Sequence, residues 1–158
     1  MILGRVFNCQ SISFDFASTD KRDVIQELAQ KLVVSQPSLN YDKVLSALLQ
    51  RESKLSTGIG RGVAIPHALC EGVEGVHGVI GISRQGIDFQ SLDNEPVHLV
   101  VMLVAGVKDC DFHLQVIKRL ASLFQNPNFL KRFFLQQQLR MHTIVFWSLS
   151  GWLSSKGK

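Results

Sequence analysis

Runs of like charge are missing from this sequence. Lys plus Arg is 17 against 13 for Asp plus Glu, a net charge of +4, and the basic residues are scattered. A nucleic-acid interface needs them gathered on one face, so none is expected. Cysteine is scarce. Cys9, Cys70 and Cys110 are odd in number and lack Cys-x-x-Cys spacing, which excludes a disulfide framework and points to reduced thiols in a cytoplasmic protein. No three of the histidines and cysteines share a metal-ligand spacing, so neither metal nor cofactor is expected. No apolar run approaches the ~18 residues of a membrane span, and the N-terminus lacks a signal-peptide pattern. Membrane insertion is therefore not expected. Internal repeats and low-complexity linkers are also absent.

What is present describes a globular chain. At 158 residues, 46% hydrophobic and 19% charged, it has the length and the apolar content of one domain with a core. Ile12, Phe14 and Phe16 alternate with polar residues, so residues 6–16 suggest a half-buried strand. Ser18 or Thr19 is placed to cap a helix through residue 34, with Val24, Ile25, Leu28 and Leu32 as its stripe. Asn40 is placed to cap a second helix that buries Val44, Leu45, Leu48 and Leu49. Residues 73–83 suit a strand, 84–96 are turn-rich, and 97–104 read as a central strand because they are almost wholly apolar. Asp111 is placed to cap a helix over 112–124, buried through Leu114, Ile117, Leu120, Ala121 and Phe124. Asn126-Pro127 breaks it, and 128–139 suggest one more helix. The interleaving predicts an α/β fold: a single domain with a mixed β-sheet sandwiched by α-helices.

The most informative stretch is residues 51–68. Gly58, Gly60 and Gly62 alternate, suggesting a loop of unusual backbone conformation. Val63-Ala64-Ile65 fits a short buried strand, which Pro66 is expected to end. His67 then stands at a strand end, with Arg51 and Thr57 upstream. The loop lacks Gly-Lys-Ser/Thr and is not a nucleotide-binding P-loop.

Thr57-Gly58-Ile59-Gly60-Arg61-Gly62-Val63-Ala64-Ile65-Pro66-His67-Ala68 closely resembles the phosphorylation-site motif of type 2 enzyme IIA domains. These belong to the bacterial phosphoenolpyruvate-dependent phosphotransferase system, in its fructose, mannitol and nitrogen-regulatory branch. The resemblance covers roughly residues 5–135. It implies that His67 carries the phosphoryl group, which suits an imidazole with a neutral nitrogen near pH 7. As a lone residue, His67 would better fit an inert, hydrogen-bonded turn histidine; the whole motif reverses that reading.

The resemblance assigns three further site residues. Arg51 matches an arginine before the motif; it is either a bidentate partner for phosphoryl oxygens or a solvated helix-end cation. Thr57 is either a ligand of the imidazole or phosphoryl group or a plain turn residue. His113 matches a second histidine near the first. It either lends an N–H to a phosphoryl oxygen or is polar decoration at an exposed helix start, where the helix dipole disfavours its protonated form. Ile59, Val63 and Ala68 are expected to rim the site. His77, His98 and His142 match nothing and read as structural.

The resemblance implies a phosphoryl carrier that accepts from a small histidine-containing phosphocarrier (HPr-like). Three classes stay open: a nitrogen-regulatory protein acting on regulated targets, a sugar-specific component passing the group to a IIB cysteine, and a binding module without phosphorylation. Without an attached IIB or membrane part, the regulatory class is favoured. Residues 1–140 form the expected domain. Residues 141–158 depart from the family, carrying both tryptophans and no acidic residue, and within them 144–147 fit a strand.

Overall fold

A computed structural model describes residues 3–7, 11–14 and 18–138. The N-terminal strand is shorter than its alternation suggests. Leu3–Arg5 form a 3₁₀ turn, and the amides of Val6 and Phe7 both donate to the Leu3 carbonyl at 3.0 Å. That turn takes Val6 and Phe7 out of the strand and into the core. Strand β1 is Ile12–Phe14, and Phe16 lies outside the described residues. Helix α1 spans Lys21–Ser35 and is capped by Asp20, not by Ser18 or Thr19. The Asp20 carboxylate accepts from the amides of Arg22 (2.8 Å) and Asp23 (3.4 Å), while the Ser18 hydroxyl donates to Glu27 instead. Helix α2, Tyr41–Lys54, starts at Asn40 as expected, with the Asn40 side chain accepting from the Lys43 amide. Val44 and Leu48 are buried; Leu45 and Leu49 are partly so.

The glycine-rich segment is a hairpin rather than an open loop. Strands β2 (Gly58–Gly60) and β3 (Val63–Ala64) pair antiparallel. The turn needs positive φ at Gly60 (88°), Arg61 (57°) and Gly62 (75°), which explains two of the glycines. Strand β3 ends before Pro66, as expected, but one residue earlier than expected, at Ala64. Strand β4, His67–Cys70, resumes the same parallel pairing to strand β6 (Val97–Gly106) that β3 begins. Proline lacks an N–H, yet its carbonyl still accepts from the Leu103 amide at 2.9 Å, so the ladder bridges the gap.

Strand β5 is Val76–Ile87, longer than expected because the Ser83–Gly86 segment is an irregularity within the strand and not its end. The sheet order is β1-β5-β6-β3-β2, with β4 also on β6, and it mixes parallel and antiparallel neighbours. β6 is central, as expected. Leu99, Val101, Leu103 and Ala105 pack on one side with helices α3 (Cys110–Phe124) and α4 (Pro127–Gln138). Val100, Met102 and Val104 pack on the other side with α1 and α2. Period-two alternation thus feeds two cores from one strand, which is why its sequence is continuously apolar.

α3 departs from the expected face. It begins at Cys110, so Asp111 lies in its first turn; Asp109 precedes it and accepts instead from the Gly75 amide at 2.8 Å. The buried face is His113, Val116, Leu120, Leu123 and Phe124, whereas Leu114 is 47% exposed. Leu120 and Phe124 are buried as expected and Ile117 packs against the same core, but the face is rotated towards His113, Val116 and Leu123, a rotation hidden when His113 is counted as polar. Pro127 opens α4 at the position where its missing N–H costs nothing, and Asn126 accepts from the amides of Asn128 and Phe129. Residue 139 and the segment 141–158, with its suggested strand, lie outside the described residues.

Gly106 joins β6 to the 3₁₀ turn Val107–Asp109 that leads into α3. A Cβ there would sit 2.1 Å from the Val73 carbonyl oxygen, whereas at Gly72 (φ 80°) it would meet nothing within 4 Å. Gly106→Ala is expected to lower the stability by about 2–3 kcal/mol, since backbone must move. Gly72→Ala is expected to cost only about 1 kcal/mol, from its left-handed φ. Urea unfolding of both variants checks the ranking.

Candidate active site: two facing imidazoles

His67 is the first residue of β4, and alternation along that strand sets its direction. Ala68 and Cys70 point into the core shared with α1 and α2, so His67 and Leu69 point to the opposite face. There the His67 ring lies 5.8 Å from that of His113, centroid to centroid, at an interplanar angle of 52°. Nδ1 of His67 is 2.8 Å from the Ile65 carbonyl oxygen. A carbonyl only accepts, so Nδ1 carries the hydrogen. In the neutral ring the lone pair is then on Nε2.

Both imidazoles are held below the ordinary histidine range. For His67 burial is the main cause; the Ile65 hydrogen bond opposes it, the positive charge of Arg51 adds to it and Glu52 opposes it. His113 is pushed down to about 4, by burial first and by the His67 charge second. His113 is not the exposed helix-start residue that one reading allowed. It is 2% exposed, and among the described residues neither ring nitrogen has a hydrogen-bond partner. A buried imidazole with donor and acceptor both unmet is costly, and it faces the other histidine.

Arg51 lies in the last turn of α2, half-buried, with Nη1 donating to the Leu55 carbonyl at 3.1 Å. That bond is the helix-end role, yet the charge of Arg51 also reaches His67. Thr57 is placed differently from either reading. It is buried, its amide donates to Oε1 of Glu52 at 3.0 Å, and its hydroxyl donates to Oε2 at 2.5 Å. The hydroxyl is therefore held by a carboxylate and not by an imidazole. Sequence reasoning missed Glu52, 7% exposed and paired with Lys21 at 2.7 Å. A signal existed: Glu52 continues the Val44, Leu48 spacing, an acid on a buried stripe.

The expected rim is corrected too. Ile59 is exposed, but Val63 and Ala68 are buried, because their strands turn those side chains inward. Leu69 and Leu114, each next to or two residues from a site histidine, are the exposed apolar residues instead. His77 and His98 each bond a backbone carbonyl, of Glu74 and Ser83; His142 lies outside the described residues. Among the described residues, no cluster of three His, Cys, Asp or Glu side chains is placed to hold a metal ion, and no helix is long and apolar enough to cross a membrane.

Comparison with known proteins follows the same lines. Residues 5–140 match the family model described as phosphoenolpyruvate-dependent sugar phosphotransferase system, EIIA 2. A nitrogen regulatory protein of Bradyrhizobium diazoefficiens is 36% identical over 112 residues, covering 71% of this chain and 72% of that protein. The fructose-specific EIIABC component of Bacillus subtilis is 35% identical over 122 residues. That alignment covers 77% of this chain but 19% of the Bacillus protein. The crystal structure of nitrogen regulatory protein IIA-Ntr from Neisseria meningitidis superposes with a TM-score of 0.75 at 29% identity, covering 81% of this chain and 87% of that one. The chain belongs to the type 2 EIIA family of the phosphoenolpyruvate-dependent sugar phosphotransferase system, a family of phosphoryl-transfer proteins with both nitrogen-regulatory and sugar-specific members among its relatives.

Proposed function

We propose that the chain is a phosphoryl carrier that is phosphorylated on Nε2 of His67 by a histidine-containing phosphocarrier. One observation carries this reading: the Ile65 carbonyl holds the hydrogen on Nδ1 and leaves Nε2 as the nucleophilic lone pair. In the transfer, Nε2 bonds to phosphorus as the nitrogen–phosphorus bond of the donor phosphohistidine breaks, and the electron pair of that bond returns to the donor ring. The hydrogen stays on Nδ1, donated to the Ile65 carbonyl, throughout. The attacking and leaving nitrogens approach in line, and the charge on the three equatorial oxygens must be met from the side. Arg51 brings a guanidinium with N–H groups beyond the one given to Leu55. His113, kept neutral by burial, lends an N–H without losing a proton. Thr57 acts by holding the hairpin rather than by touching the phosphoryl group.

The nitrogen-regulatory role is the favoured subtype, with the phosphorylation state of His67 setting the binding of regulated target proteins. The nitrogen regulatory relative at 36% identity and the TM-score of 0.75 to nitrogen regulatory protein IIA-Ntr support it. A sugar-specific role, in which the group passes to a IIB cysteine, is the second reading, supported by the fructose-specific relative. Incubating the phosphorylated protein with IIB domains separates them: efficient transfer to a cysteine selects the second.

Incubation with phosphoenolpyruvate, enzyme I and the phosphocarrier is expected to add one acid-labile, base-stable phosphoryl group, seen by intact mass and lost in His67→Ala. Label persisting in that variant defeats the assignment. Arg51→Gln is expected to fold normally and to slow transfer at least about tenfold, with Arg51→Lys between because lysine keeps charge without the planar fork. Rapid-quench rates beside thermal melts decide it; equal rates return Arg51 to helix capping alone.

Acid should act with one sign on rate and stability. The lowered His67 pKa keeps Nε2 neutral as pH falls through the ordinary value of 6.5, so transfer is expected to stay flat through that point and to decline only at lower pH. The unfolded chain takes up protons first, because both folded histidines titrate lower. Their contribution is complete above pH 6.5 and drains away as pH falls towards about 4, where His113 protonates. Histidine NMR titration and urea melts between those pH values check both statements, and His113→Asn should flatten the stability slope.

A further inference from the structure

Glu52 is an acid in the wrong place for a surface residue. Its side chain is buried in the last turn of α2, and both carboxylate oxygens are used. Oε1 takes the Thr57 amide at 3.0 Å and Lys21 Nζ at 2.7 Å; Oε2 takes the Thr57 hydroxyl at 2.5 Å. Lys21 is itself fixed from α1: its Nζ also reaches Ser56 Oγ and Gln90 Oε1, each at 3.4 Å, and lies over the Phe89 ring. Burying such a pair contributes little net stability against apolar residues of the same size, so stability alone does not account for it.

The consequence lies further along the backbone. The Thr57 carbonyl accepts from the Ile65 amide at 3.0 Å, closing the base of the β2–β3 hairpin. Ile65 is thus held on its N–H side by Thr57 and on its carbonyl side by Pro66, whose φ is fixed by its ring. The carbonyl between them is the one that holds Nδ1 of His67. We propose that Glu52 is the positioning residue of this site: by clamping Thr57 it aims the Ile65 carbonyl at His67 and so selects the tautomer with Nε2 free. The inference rests on the reading of His67 as phosphoryl acceptor, but the tautomer does not. Glu52 touches no reacting atom. It acts through Thr57 and Ile65, and preorganised geometry of this kind bears on the transfer step rather than on encounter with the donor. Lys21 gives the carboxylate its counter-charge.

The experiment uses the full chain labelled with ¹⁵N-histidine. The wild type is expected to show His67 as the Nδ1–H tautomer. Glu52→Ala should give a mixture of tautomers and, at saturating donor, transfer slowed about tenfold or more, with the half-saturating donor concentration changed by less than about twofold. Glu52→Gln keeps an acceptor for the Thr57 amide, and Thr57→Val removes only the hydroxyl half of the clamp; both should fall between. A merely structural Glu52 would lower the melting temperature and leave tautomer and saturated rate alone. That result, in folded Glu52→Gln and Thr57→Val proteins, overturns the proposal, and these two variants decide it should Glu52→Ala not fold. A wild type that accepts no phosphoryl group refutes the acceptor reading, while the tautomer spectra still decide the clamp.

Discussion

Pairing of the β3–β4 edge with β6 is the constraint from which the site follows. Val63 and Ala64 pair with Leu99 and Val100, and the chain rejoins the same partner at His67 opposite Leu103. Only Ile65 and Pro66 stand between. The proline has no hydrogen to give the ladder, and its buried carbonyl is taken by Leu103. The Ile65 carbonyl is left to accept from a side chain, and the side chain in reach is that of the residue after the proline. A break of two residues in an otherwise regular edge thus fixes one imidazole and its tautomer together.

Burial does the rest of the electrostatic work. β6 is covered on both faces, so the histidine on the helix packed over it is removed from water and the one on the strand beside it is partly so. Removing an imidazole from water disfavours its cation. Two facing imidazoles that were both charged would also repel, and the effect of His67 on His113 has that sign. The pair is therefore neutral near pH 7, the state in which one ring offers a lone pair and the other an N–H.

The polar groups beneath the hairpin belong to the same logic. Lys21, Glu52 and Thr57 come from α1, from α2 and from the segment after α2, and each satisfies another. A half-satisfied buried network is worse than an apolar core, so its completeness ties the relative placement of the two helices to the start of the hairpin. Through the Thr57 carbonyl the tie ends on the amide of Ile65, the residue whose carbonyl holds His67.

Much of this was legible in the chain before folding. The central strand, the Asn40 cap, the stripes of α1 and α2, the α/β class and the family resemblance all rest on local pattern, because a side chain's face follows from period two or 3.6 alone. Thr57 and His113 could be named but not placed. Their surroundings are set by residues far away in sequence, and a polar residue in a helix reads as exposed until something is seen to cover it. His113 is covered by the sheet, which moved the buried face of α3 off Leu114; Glu52 reads as a surface acid until Lys21 arrives from a helix 31 positions earlier. Local order is written in nearest neighbours, whereas burial, charge pairing and the tautomer of His67 depend on which distant segments meet, and only tertiary structure decides that.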